Sequence, residues 1–163
     1  ESAMMCGVRS YIHWAYDQVK EGRYPISEES LAPQYYVAYS YFSVSNYDLA
    51  LEELQDVVFS GVPCNISARA GALMARAFIH KNDYIGAQLT LDVLDNLYPE
   101  HAKNNRNISR MREIVDVYGQ KIDEDKLAAL MIEYFGTQLA QAREKIDAGM
   151  QLVAADPTHL SSN

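Results

Sequence analysis

The chain has 163 residues, of which 48% are hydrophobic and 22% are charged, a composition typical of a folded domain and unlike that of a disordered segment. Its formal net charge of −8 disfavours nucleic acid and anionic lipid as partners, because both carry the same sign of charge. No apolar run approaches the roughly 20 residues that a helix needs to cross a bilayer. We therefore expect one soluble domain, residues 1–163, that binds neither nucleic acid nor membrane.

The cysteine count favours a cytoplasmic location. Cys6 and Cys64 are too few for a disulfide framework or a four-ligand zinc site, so we interpret both as reduced thiols. Two observations keep a secreted protein open as an alternative. The chain begins at Glu1, which is compatible with removal of a signal peptide, and N-glycosylation patterns begin at Asn65 and Asn107.

Apolar residues at helical spacing begin near the N-terminus. They predict a first helix over about residues 2–21, followed by Gly22, a residue type that commonly ends helices. A second helix is predicted to begin near Ser27 and to continue to Val44. Pro33 marks either the true start of this helix or a kink in it, because proline fits only the first turn of a helix.

The arrangement of helix, short turn and helix then recurs. After the interruption at residues 46–48, helical spacing resumes up to a break at residues 61–63. The next two helices are predicted over residues 65–80 and 84–97, with a short turn at residues 81–83 between them.

The C-terminal third is also helical. Residues 101–107 are polar and predict a loop, and a helix follows over residues 108–118. From Asp123, apolar residues at helical spacing continue for roughly 30 residues, which predicts one long helix that ends before Pro157. No segment alternates with a period of two, so the predicted fold class is all-α with about seven helices.

Two segments of the chain repeat each other when Ala50 is aligned with Ala87. The matched positions are Val37 with Met74, Ala38 with Ala75, Tyr41 with Phe78, Tyr47 with Tyr84, Leu54 with Leu91, and Val57 with Leu94. Two helices can approach closely only where a small residue faces a large one. A pair of such helices cannot bury its apolar face alone, so neighbouring pairs must stack.

This pattern resembles the tetratricopeptide repeat (TPR) family, whose units carry small residues at the close contacts, aromatic residues beside the turn and a proline after the second helix. Pro99 takes that last place, and the resemblance covers residues 32–99 as two units. The chain departs from the family at Gln34 and Gly71, which stand where its tryptophan is usual. The spacing of 37 residues between the two units also exceeds the family's period of about 34, which an insertion at residues 60–64 would explain.

The resemblance implies a right-handed superhelix of stacked antiparallel helical hairpins. Residues 1–31 would form an N-terminal cap or degenerate repeat, and residues 107–155 would supply the C-terminal helices. The long last helix would cover the open end of the stack, as repeat arrays require for solubility.

The resemblance also implies where a partner would bind. In TPR proteins the first helices of successive units line a concave groove that takes peptides. Here that groove would contain Tyr35, Tyr39, Phe42, Arg69, Arg76, Ile79 and His80. The basic residues among them share one helical stripe in an acidic chain, which would suit a partner with carboxylates and an apolar anchor. In the alternative interpretation, the tyrosines pack between helices and the arginines form ordinary solvated ion pairs.

No motif points to catalysis or to a metal. The histidines are scattered over different segments, neither cysteine has the context of a nucleophile, and no glycine-rich phosphate loop is present. We therefore predict no enzyme activity, no cofactor and no metal.

The predicted function is a protein-interaction scaffold or adaptor that binds a peptide segment of a partner. Two alternatives stay open. One is a small secretion-type chaperone that holds an unstable client, and the other is a structural assembly subunit that self-associates through its end helices. Trp14 and the tyrosines of the N-terminal half would supply a surface for a homodimer.

Overall fold

The computed structural model describes residues 28–155, with side chains described as far as residue 149. These residues form eight helices and no strand, which confirms the all-α prediction for this part of the chain. The helices are α1 (Glu28–Ser43), α2 (Tyr47–Val58), α3 (Asn65–His80), α4 (Tyr84–Leu97), α5 (Pro99–Ala102), α6 (Arg106–Tyr118), α7 (Glu124–Phe135) and α8 (Gln138–Ala155). The predicted helix over residues 2–21 and the tail over residues 157–163 lie outside the described residues.

The same turn joins α1 to α2 and α3 to α4. In each turn one residue has a left-handed backbone, Ser45 with φ of 61° and Asn82 with φ of 59°. The next residue, Asn46 or Asp83, caps the following helix by accepting a hydrogen bond from a backbone N–H of its first turn. The two turns are 37 residues apart, which is the spacing of the repeat in the sequence.

Small residues lie at the close contacts between helices, as the repeat predicts. Helix α1 packs against α2 and α3, and α3 also packs against α2 and α4. The four aligned alanines, Ala38, Ala50, Ala75 and Ala87, are all 0% exposed. The packing of these helices is consistent with a helical repeat.

The two positions without the usual tryptophan are filled in different ways. Gln34 is buried, and its side-chain amide donates hydrogen bonds to the Glu53 carbonyl at 3.2 Å and to the Asp56 carboxylate at 3.1 Å. Gly71 leaves room for Leu94 of the neighbouring helix. The Gln34 amide and the Leu94 side chain therefore occupy the space at these two positions.

The prediction of one long C-terminal helix is wrong. The chain turns at Gly136, whose φ is +59°, and this turn separates α7 from α8. Both helices pack against α4, and Phe135, Ala142 and Ile146 are buried. A straight helix of 30 residues would be about 45 Å long, so only the turn lets both halves of the apolar stripe reach the core.

The predicted loop over residues 101–107 is also only partly correct. Pro99 begins a short helix, α5, that continues to Ala102, and α6 begins at Arg106. Proline is favoured in the first turn of a helix because its missing N–H would have no partner there. The loop is therefore confined to residues 103–105.

Candidate functional site

Helices α1 and α3 lie side by side and bring predicted site residues into contact. The Arg69 guanidinium lies over the Tyr35 ring, 5.1 Å from its centroid, and the Arg76 guanidinium lies over the Phe42 ring at 5.0 Å. Both pairs have the same separation in sequence, 34 residues. At this surface the two helices therefore run in the same direction and in register.

The contacts continue at the C-terminal end of α3. His80 stacks on Tyr47 with ring centroids 5.0 Å apart and planes 7° apart. The Phe42 ring meets both of these rings edge-on, at 5.5 Å from His80 and 5.4 Å from Tyr47. Tyr47 was not among the predicted site residues, because its match with Tyr84 in the repeat indicated only a turn aromatic.

These contacts define the aromatic-basic strip, a surface made by three neighbouring helices. Its members are Tyr35, Tyr39 and Phe42 of α1, Tyr47 of α2, and Arg69, Arg76 and His80 of α3. Arg69 and His80 are exposed, and Arg76 is half-buried. The strip therefore presents the positive charge of Arg69 at the surface, whereas Arg76 is partly covered.

The aromatic residues of α1 differ in exposure. Tyr35 is 6% exposed and belongs to the core, whereas Tyr39 is 49% exposed and its ring lies 6.5 Å from that of Tyr35. Tyr36, which was not predicted, is equally open and meets Tyr35 edge-on. The predicted residue Ile79 is half-buried and packs against the core. Tyr35 thus contributes a buried ring to the strip, whereas the ring of Tyr39 is accessible to solvent.

The two strip arginines have no carboxylate within 4.0 Å among the described residues. The ion pairs between described residues lie elsewhere and are Lys81 with Asp48, Lys103 with Glu100, Arg112 with Asp95, and Arg143 with Asp147. Within residues 28–149 the aromatic rings, and not acidic side chains, are the neighbours of Arg69 and Arg76. This arrangement differs from the solvated ion pairs of the alternative interpretation.

Stacking on a ring prepares an arginine to bind a carboxylate. The contact between a guanidinium and an aromatic face contributes about 0.5–1 kcal/mol at an exposed site. It restricts the plane of the guanidinium but leaves the N–H groups along its edge free to donate. Arg69 and Arg76 can therefore donate hydrogen bonds to an anionic partner with little further ordering of their side chains.

A cleft lies between α4, α6 and the segment that follows α6. It encloses about 660 Å³, and its charged lining residues are Asp92, Arg112, Asp116 and Lys121. Burial and the nearby Asp95 raise the pKa of the Asp92 carboxyl, while Arg112 opposes this shift. Acidic and basic groups are balanced here, so the cleft selects no charge on a ligand.

Within residues 28–149, no three His, Cys, Asp or Glu side chains come together as metal ligands. Cys64 is buried, with its Sγ 3.4 Å from Ser67 Oγ. None of the described helices is both long and apolar enough to cross a membrane.

Comparison with known proteins adds no functional assignment. No protein-family model matches the chain, and searches of curated proteins and of solved structures gave no match. The resemblance to TPR proteins therefore stays a prediction from the two repeated segments.

Proposed function

We propose that the chain is a protein-interaction scaffold or adaptor domain, and that its aromatic-basic strip binds a peptide segment of a partner. The observation that carries this proposal is the pair of stacked arginines, which have no carboxylate partner among the described residues, beside the half-exposed ring of Tyr39. In this proposal α1 and α3 are the first helices of two TPR-like hairpins in a right-handed superhelix. The strip then lies on the concave face of the stack.

The contacts of α6 support a repeat architecture. Helix α6 packs against α3 and α4 in the way that α3 packs against α1 and α2. In this proposal α6 is the first helix of a third unit. Helices α7 and α8 pack against α4, and Phe135 of α7 also contacts Phe59, the residue that follows α2.

The composition of the strip supports a binding role. Arginine and tyrosine are enriched among the residues that dominate binding energy at protein interfaces. Tyrosine offers a large contact area and has only two rotatable side-chain bonds to order. Tyr39 would supply the apolar contact, and Arg69 and Arg76 would supply the charge-assisted hydrogen bonds.

Replacement of Arg76 by glutamate tests the proposal. A partner purified with the wild-type chain from the source organism is titrated against both proteins by calorimetry. We expect Arg76→Glu to weaken binding at least about tenfold, or about 1.4 kcal/mol, because a hydrogen-bond donor becomes a repelling carboxylate. Tyr39→Ala should weaken binding in the same titration without a change of charge.

Lys126→Glu is the matched control, since Lys126 is exposed on α7, which contributes no residue to the strip, and its charge also changes from positive to negative. It should bind the partner like the wild type, and circular dichroism should show equal helicity for all variants. Unchanged affinity of Arg76→Glu with full helicity would contradict the proposal. Equal losses in Arg76→Glu and Lys126→Glu would point to net charge and not to the strip.

A further inference from the structure

We infer that the aromatic-basic strip selects an acidic amphipathic helix that carries two carboxylates seven residues apart with an apolar side chain between them. This inference rests on the proposed function, because it specifies the chemistry of the segment that the strip binds. It follows from the spacing of the two stacked arginines and from the position of Tyr39 on α1. Tyr39 lies between Tyr35 and Phe42, the two residues on whose rings the arginines stack.

The spacing of the arginines is set by two helices together. Arg69 and Arg76 are seven residues apart on α3, which is nearly two full turns, so they lie on the same side of the helix about 10.5 Å apart along its axis. The rings beneath them, Tyr35 and Phe42, are separated by the same step on α1. Each guanidinium is thus held in place by its own ring.

A helix is the backbone whose side chains best match this spacing. Residues i and i+7 of a bound helix are also about 10.5 Å apart on one side. In an extended strand, residues on the same face are about 6.6 or 13 Å apart, and neither distance fits. Polyproline II comes closest among the alternatives, because residues on one side of it recur every ~9.3 Å. An experiment must therefore distinguish a bound helix from a bound polyproline II segment.

Tyr39 determines where the apolar side chain belongs. It lies between Tyr35 and Phe42 on α1, four residues after the first and three before the second, which places all three on one side of the helix, and its ring is half-exposed. On a bound helix with carboxylates at i and i+7, residue i+3 lies on the same side near the midpoint. A leucine at i+3 would therefore cover the Tyr39 ring, which gives the pattern Glu-x-x-Leu-x-x-x-Glu.

The charge of the whole chain makes this spacing selective. The chain has a net charge of −8, so an acidic segment meets general repulsion. Only carboxylates placed at Arg69 and Arg76 gain bidentate hydrogen bonds that offset it. Carboxylates at any other spacing keep the repulsion and lose at least one of these contacts, which disfavours the wrong partner.

Three fluorescein-labelled peptides test the inference against the full chain by fluorescence polarisation. The first is a helix with glutamates at i and i+7 and leucine at i+3. The second has the same composition with glutamates at i and i+5, and the third is a polyproline II peptide with glutamates at i and i+3. We expect the first to bind at least about tenfold more tightly than either of the others.

The arginines are then tested one at a time. Arg69→Gln and Arg76→Gln should each reduce the affinity for the first peptide to that for the second, because one carboxylate loses its partner in either case. Lys126→Gln on α7 removes the same charge outside the strip and should leave all three affinities unchanged.

Equal affinities for the first and second peptides, tighter binding of the third, or no measurable binding of the first would each overturn the inference. The proposed function fails separately. It fails if Arg76→Glu leaves the affinity for the natural partner unchanged. If Arg76→Glu lowers that affinity but the peptides show no preference for spacing, only the inference about spacing is overturned.

Discussion

At the scale of single residues, the contact between α3 and α4 depends on a missing side chain. Gly71 is buried in the middle of α3, where a Cβ atom would lie 2.7 Å from both Cδ1 and Cγ of Leu94 and closer still to Cδ2. Leu94 is itself fully buried, so it cannot turn out into solvent without losing apolar burial. Glycine is thus required here by close approach, although it is a poor helix former.

Gly71→Ala should lower the free energy of unfolding. Alanine gains about 0.5–1 kcal/mol of helix propensity, but overpacking against Leu94 costs about 1–3 kcal/mol, so we expect a net loss in urea denaturation followed by circular dichroism. Gly149→Ala is the control, because Gly149 lies in α8 with nothing within 4 Å of the added Cβ. This variant should be as stable as the wild type or more so. Equal stability of the two variants would contradict the packing argument.

At the scale of elements, the junction of α7 and α8 is a turn that depends on backbone conformation. Gly136 has φ of 59° and ψ of −133°, a combination that residues with a Cβ atom rarely adopt. No atom lies within 4 Å of a Cβ built at this position. Any effect of a side chain here must therefore come from the backbone.

Gly136→Ala should cost about 1–3 kcal/mol of unfolding free energy, the usual penalty for a non-glycine residue in a sparsely populated region. Urea denaturation against Gly149→Ala separates this penalty from the general effect of removing a glycine. An unchanged free energy, or a rise in helicity, would show that α7 and α8 can join into the continuous helix that the apolar stripe predicts.

At the scale of the whole molecule, the Tyr134 hydroxyl of α7 links the C-terminal helices to the turn between α3 and α4. The Tyr134 hydroxyl donates to both oxygens of the Asp83 carboxylate, at 2.9 and 3.0 Å, and its ring lies against Phe78. Asp83 also caps α4. Burial and this carboxylate raise the pKa of Tyr134 from 10.0 to about 12.

The raised pKa of Tyr134 predicts a loss of stability at alkaline pH. The folded state favours the neutral phenol, so this contribution is complete below about pH 10 and is lost as the pH rises toward about 12. Tyr134→Phe should be less stable at neutral pH and should lose less stability over this interval in urea titrations. Tyr98 will leave some residual slope, because burial raises its pKa as well. The half-exposed residue Tyr36 provides the control variant, Tyr36→Phe. If the free energy of unfolding varies with pH in the same way in both variants, the alkaline loss of stability does not come from Tyr134.

Self-association through the end helices stays a prediction. Phe135, Ala142 and Ile146 are buried within the chain, so this part of the C-terminal stripe is already covered. A dimer at this end would need other apolar side chains, and Val117, Tyr118 and Ile132 are more than half exposed. Sedimentation over a range of concentrations would test it.

The sequence by itself determined the features that depend on neighbouring residues. The predicted bounds of α3 and α4 are those observed, because the caps and turns that end these helices are made by adjacent residues. The placement of Arg69, Arg76 and His80 on one face of α3 also follows from helical periodicity alone.

Only the tertiary structure decided which distant residues meet. Periodicity could not show that Arg69 covers Tyr35 or that Tyr47 stacks on His80, since these pairs come from different helices. It also missed the turn at Gly136, because the apolar stripe continues at helical spacing on both sides of it. The physical reason is the same in each case: helical spacing records which face of a helix is apolar, whereas packing determines what that face contacts and where the helix must turn to reach it.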